Sequence, residues 1–275
     1  FKKRGDEWIE DHVAYRTLPG EHTGAHVLQG VFEALGYERK DDYFFDEKQL
    51  KAFWMCPPDI DSHSREASAK IFISELIPNK FSPEFQEVVR RSTQQVVASP
   101  LLNIHKLRDA AKKGDKQAAD QMAIECVGLL TSLPAWNRAS FKDYEILRQE
   151  SEYAGWTLLF GNQINHFTVS VHLMKTFKDI HPLVKFLDED LKVPMNKAGG
   201  GIVKGTPDLL LEQISTKAVD VPYNFQEGVL NVPYGFVEFA YRYTLENKKH
   251  DGAWGSYYQG FVTSNADKIF ESTTR

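Results

Sequence analysis

The chain has 275 residues, 42% of them hydrophobic and 26% charged, enough to bury a sizeable core in one large domain or two modest ones. Its net charge of −5 argues against a general nucleic-acid binder, which carries a basic face. No apolar run approaches the roughly 20 residues of a membrane span, and the first seven residues place no apolar stretch behind their charges, so no secretory signal is expected.

In chain order, residues 8–17 read as a strand. Positions an even number apart share a face, so His12, Ala14 and Arg16 point one way, and Val13 and Tyr15 the other. A helix is expected over 21–35, with Ala25, Leu28, Val31, Phe32 and Leu35 near a 3.6 period and Gly36 just past its end. Strands at 37–45, 52–56 and 69–77 complete a βαβββ unit, residues 1–80. The polar loop carrying Asp59, Asp61 and His63 between the last two reads as solvated. Cys56 and Cys126 are the only cysteines. They exclude a Cys-based zinc site and read as free thiols of a reducing, cytoplasmic protein.

Residues 81–158 are rich in Ala, Gln, Glu, Lys and Arg and read as a helical insert. Ser82-Pro83 suits a helix start, and further helices are expected at 115–130 and 141–152. The first pattern then returns over 159–245: a strand at 165–171, a helix at 178–188, a loop at Gly199-Gly200-Gly201, and strands at 208–215 and 236–243. Residues 246–275, with Trp254, Tyr257, Tyr258 and Phe261, read as an aromatic cover. The fold class expected is α+β, two βαβββ modules pairing into a half-open barrel around a helical insert.

Each module opens with a His on its first strand and closes with a Glu on its last: His12 and Glu75, then His166 and Glu238. Two imidazoles and one carboxylate on one face of a metal leave adjacent positions open, the facial triad of non-haem Fe(II) oxygenases. A 2-oxo acid fills two of them and dioxygen the third. The set His12, His166 and Glu238 is preferred; Glu75 is an alternative ligand or a structural residue. Arg16 offers a planar fork for a carboxylate. It lies two same-face steps beyond His12, about 6.5–7 Å along the strand, where it can hold the remote end of a diacid. The competing reading pairs it with Glu75. Lys204, beside the Gly-rich loop, is placed against an anionic substrate, although the order of residues there is not that of a phosphate loop. Ser215 is a further candidate lining residue, and His172 reads as structural.

The segments His12-Val13-Ala14-Tyr15-Arg16-Thr17, Ile73-Ser74-Glu75-Leu76-Ile77-Pro78, Asn165-His166-Phe167-Thr168-Val169 and Phe236-Val237-Glu238-Phe239 together resemble the 2-oxoadipate dioxygenase/decarboxylase family. These proteins are also called hydroxyglutarate synthases, within the vicinal oxygen chelate superfamily, and the resemblance spans nearly the whole chain. It implies iron on His12, His166 and Glu238, with Zn, Ni or Mn as possible substitutes in isolated protein, and Arg16 on the distal carboxylate. It also implies conversion of 2-oxoadipate and O2 to 2-hydroxyglutarate and CO2, in lysine breakdown, with no nucleic-acid or membrane partner. Two competitors are a glyoxalase-like isomerase or hydrolase, favoured by a four-ligand site that includes Glu75, and a non-catalytic binding protein, favoured by His12 and His166 lying far apart.

Overall fold

A computed structural model describes residues 5–132, 134–177, 179–246, 248 and 252–274. The first half of the chain forms β1 (Glu10–Thr17), α1 (Ala25–Ala34), β2 (Glu38–Phe45), β3 (Leu50–Cys56) and β4 (Lys70–Leu76). Five helices follow: α2 (Pro83–Thr93), α3 (Leu101–Ala111), α4 (Lys116–Thr131), α5 (Phe141–Glu150) and α6 (Glu152–Phe160). The second half holds β5 (Ile164–Ser170), α7 (Ile180–Val184), β6 (Lys204–Thr206), β7 (Leu211–Ser215), β8 (Asp220–Asn224), β9 (Val229–Pro233) and β10 (Phe236–Arg242), before a C-terminal α8 (Thr263–Ile269).

Eight strands make one curled, half-open sheet in the order β2-β3-β4-β1-β5-β10-β7-β6, and β8 and β9 form a separate hairpin. The order reads the same outward from the centre in both directions. β1 pairs in parallel with β4, and β5 in parallel with β10; β1 and β5 meet antiparallel where the halves join. The fold is thus α+β with a duplicated βαβββ unit, as expected.

Alternation along the strands decides what each face packs against. On the outer face Val13, Tyr15, Ile71 and Ile73 bury against Leu28 and Phe32 of α1. Val169, Ile214 and Phe239 do the same against Ile180 and Leu183 of α7. The inner face is closed by the insert and the C-terminal segment, where Ala14, Trp54 and Phe72 join Leu147, Trp156 and Phe261 in one core. The insert is therefore the second wall of the barrel.

Several boundaries differ from the sequence reading for local reasons. The first helix begins at Ala25 rather than residue 21, because Gly24 has φ +89° and ψ −177°, a conformation reserved for glycine. Its orphan first-turn donor is met from afar: Ala25 N–H donates to Glu75 Oε2 at 2.7 Å. The expected helix at 141–152 is two helices, because Ser151 leaves the helical region and caps α6 by accepting from Ala154 N–H at 3.3 Å. The helix expected at 178–188 begins, among the described residues, at Ile180 and continues as a π-helical turn, Lys185–Asp190; Lys178 lies outside those residues. The strand expected at 208–215 starts at Leu211, after Leu210 at φ +59°. The hairpin β8–β9 lies between the strands expected at 208–215 and 236–243, where the sequence reading placed no strand.

Candidate metal centre

His12 stands on β1, His166 on β5 and Glu238 on β10, three adjacent strands at the centre of the sheet. One ligand atom from each lies within 4.8 Å of the others. Glu238 Oε2 is 3.3 Å from His166 Nε2, and Oε1 is 3.7 Å from His12 Nε2. All three side chains are buried. Among the described residues no other group of three His, Cys, Asp or Glu donors converges in this way.

Two irregularities in the β1–β5 ladder aim the imidazoles. Glu10 pairs with Val169 and Val13 with Phe167, so Asp11 and His12 together oppose one residue, Thr168. Ala14 pairs with His166 and Tyr15 with Ile164, leaving Asn165 as the extra residue on β5. Such bulges re-aim side chains that strict alternation would send to opposite faces. Each brings the residue before the histidine onto the ring: Asp11 Oδ1 is 2.9 Å from His12 Nδ1, and Asn165 Oδ1 is 3.1 Å from His166 Nδ1. An acceptor on Nδ1 holds that proton and turns the Nε2 lone pair toward the centre.

The outer contacts extend this order. Asp11 is clamped by Arg242, whose Nε and a terminal nitrogen donate to its two oxygens at 2.7 and 2.8 Å. Gln213 donates to Glu238 Oε1 at 2.5 Å and is itself steadied by Asn265, whose Nδ2 donates to Gln213 Oε1 at 3.1 Å. Burial pushes the Glu238 carboxyl up, but the two histidines and the Gln213 bond outweigh it and hold it below its ordinary range. Burial also holds His166 below the usual imidazole range. A neutral imidazole and an ionised carboxylate are the forms a cation binds, and the N, N, O donor set suits a divalent transition metal.

Glu75 lies elsewhere. It pairs with Thr17, five residues beyond His12 and so on the opposite face, whereas Glu238 pairs with Thr168, two beyond His166. Beyond capping α1, Glu75 meets Lys51 Nζ at 2.7 Å. The β4 residue at Glu238's offset is Phe72, opposite Ala14. The site therefore has three protein ligands to offer, not four.

Arg16 lines the same cavity as the triad, together with Phe72, Phe261 and Phe270. Its four residues from His12 correspond to about 13 Å of extended chain, twice the separation expected from the sequence. It is 1% exposed, and burial pulls its guanidinium down to about 10, still protonated at neutral pH. No Asp or Glu among the described residues pairs with it. One terminal nitrogen donates to Thr273 Oγ1 at 3.1 Å, the other to the Phe270 carbonyl at 3.4 Å, and Nε has no acceptor among the described residues. The cavity between Arg16 and the triad is about 20 Å³, room for little more than one water molecule.

The remaining candidates do not line this cavity. Ser215 pairs with Glu238 in the ladder, but its hydroxyl is 2.9 Å from Ser272 Oγ and accepts from Asn196 at 3.3 Å. Lys204 Nζ donates to the carbonyls of Asn196, at 3.1 Å, and Gly201, tying the Gly-rich loop; burial draws its pKa down to about 8. His172 is buried against Tyr257 and Trp254. Asp59 accepts from the Ser68 backbone and hydroxyl, both at 2.9 Å. Cys56 and Cys126 are free and buried. Sequence reasoning passed over Asp11, Asn165 and Gln213. The first two have a visible signal, since each histidine directly follows a residue with a side-chain carbonyl or carboxylate.

No helix among the described residues is long and apolar enough to cross a membrane. A family model described as 2-oxoadipate dioxygenase/decarboxylase matches residues 2–255. A rice protein (Oryza sativa subsp. japonica) described as 2-oxoadipate dioxygenase/decarboxylase, chloroplastic/amyloplastic, is 33% identical over 280 residues, covering 98% of this chain and 70% of its own. The solved structure of hydroxyglutarate synthase from Oryza sativa in complex with 2-oxoadipate is also 33% identical. It superposes with a TM-score of 0.75, covering 98% of this chain and 82% of that one. A putative glyoxalase superfamily protein from Ralstonia eutropha, 24% identical, shares the fold with a TM-score of 0.72, covering 92% of this chain and 75% of its own.

Proposed function

The chain belongs to the 2-oxoadipate dioxygenase/decarboxylase family, and from that membership we propose an Fe(II)-dependent enzyme that converts 2-oxoadipate and O2 to 2-hydroxyglutarate and CO2. His12, His166 and Glu238 hold the metal, and Arg16 holds the distal carboxylate. A metal held by these residues would supply a centre for chelating the 2-oxo acid and for activating dioxygen. The substrate's carbons are conserved between the hydroxy acid and CO2, and both atoms of O2 are retained in the products.

The observation that carries the reading is Arg16. A buried guanidinium without a carboxylate is costly, and this one opens onto the same cavity as three convergent donors. A diacid answers both needs, one end on the metal and the other on the fork. The protein's own residues bind, orient and dry the substrate. Asp11 and Asn165 hold the imidazoles, Gln213 holds Glu238, and Phe72, Phe261 and Phe270 exclude water. The narrow space must widen for a diacid to enter. Lys204 and Ser215 stand outside the proposed substrate site because their polar atoms serve other partners.

The test is oxygen uptake by the Fe(II)-loaded protein with a panel of 2-oxo acids, with the product of 2-oxoadipate identified. Uptake with that diacid and formation of 2-hydroxyglutarate are expected. No uptake with any 2-oxo acid, given iron bound, overturns the reading.

A further inference from the structure

We propose that Tyr153 and Trp156, on α6 of the helical insert, are positioning residues that clamp Arg16 for a dicarboxylate. The inference rests on the proposed role of Arg16. The two side chains are three residues apart and share one face of α6. The Arg16 guanidinium carbon lies 5.2 Å from the Tyr153 ring centroid and 5.4 Å from that of Trp156, with Phe270 of the C-terminal segment a third ring at 5.5 Å. All are within the range of a cation–π attraction, which strengthens when water is excluded.

The rings are fixed by hydrogen bonds from their polar ends to the backbone. The Tyr153 hydroxyl accepts from Thr17 N–H at 3.0 Å and donates to the Ser74 carbonyl at 2.8 Å, spanning β1 and β4. Trp156 Nε1–H donates to the Tyr234 carbonyl at 2.7 Å, and its ring stacks on Tyr234 with 16° between planes. The polar ends are thus engaged elsewhere, and the guanidinium meets both side chains at their rings. Of the five N–H groups of an arginine, two are met among the described residues, by Thr273 and the Phe270 carbonyl.

A free arginine side chain loses rotamer entropy when a ligand immobilises it, and preorganisation removes that cost from binding. The clamp supplies the preorganisation without a competing carboxylate. The insert therefore builds the distal-carboxylate end of the site.

The experiment compares 2-oxoadipate with 2-oxohexanoate, which chelates the metal in the same way but lacks the distal carboxylate. Calorimetric titration of the Fe(II)-loaded protein without oxygen reads binding apart from turnover. Trp156→Leu is expected to weaken 2-oxoadipate by about tenfold and to leave 2-oxohexanoate within about twofold. Trp156→Phe is expected to limit the loss to about threefold, and Arg16→Lys sets its upper limit. Equal weakening of both acids, or of neither, overturns the clamp. If Trp156→Leu gives no cooperative melt, Trp156→Phe decides: a loss of about threefold confined to the diacid supports the clamp, and any other pattern overturns it. A wild-type protein that binds both acids equally overturns the assignment of Arg16 itself, and the clamp with it.

Discussion

Asp11 holds the His12 ring on one side and answers Arg242 on the other, and Arg242 in turn donates to the carbonyls of Tyr258 and Gly260 at 3.0 and 2.8 Å. Both charges of the pair are fully buried. Asp11→Asn leaves the guanidinium without its counter-charge and is expected to destabilise the metal-free protein by about 3–5 kcal/mol, read by urea denaturation. Burial pushes the Asp11 carboxyl up, but Arg242 and the His12 bond outweigh it and hold it well below the carboxylate range. Its contribution is therefore complete above its unfolded value of 3.8 and is lost as pH falls through the lower folded value. Between about pH 5 and pH 3 the wild type should lose stability more steeply than the variant. The triad itself was legible, because two histidines and a glutamate recur on strands of matching order. Asp11 was only partly so: its carboxylate directly before His12 is visible, but alternation alone assigns it to the face opposite His12. Only the bulge reverses that assignment, and no residue type announces a bulge.

At the scale of elements, α1 depends on a residue fifty positions away. Gly24 has no side chain to cap the helix, and a Cβ there would lie 2.5 Å from Glu75 Oε2. Glu75→Ala is expected to cost about 1 kcal/mol as a lost cap, with little added from the part-exposed Lys51 pair. Iron content per chain should stay unchanged. A drop in iron together with the lower melting temperature would return Glu75 to the ligand set. The sequence reading preferred Glu238 but kept Glu75 as an alternative ligand, because each sits on the last strand of its unit. The ladder separates them by parity, which needs the pairing register and not the strand alone. The central strands were readable from their apolar runs. β6, with three residues, and the partly exposed β8–β9 hairpin carry too little apolar alternation to register. α6 is buried on nearly every side, so it lacks the one-sided period that marks a surface helix.

For the whole molecule, the candidate ligands come from both halves of the duplicated sheet, and β1 and β5 are the pair that joins them. Metal binding is thus expected to act on the entire fold. At a free Fe(II) concentration about 100 times Kd, stabilisation should reach about 2.7 kcal/mol. Hydrogen exchange should slow in β4 as well as β10, and a chelator should reverse both effects. Protection confined to one half would mean that the ligands do not share an ion. The duplicated plan was legible in the order of strands and helices. The role of the insert as a wall was not, because its packing surface is the inside of a barrel that the sequence does not draw. That barrel also sets a limit on redesign. An engineer seeking a more stable sheet would delete the extra residues at Asp11–His12 and Asn165 and restore an unbroken ladder. The result would pair more regularly but would lose the side-chain oxygens now held against both imidazoles, so irregularities that look like defects of the sheet are what order the candidate ligands.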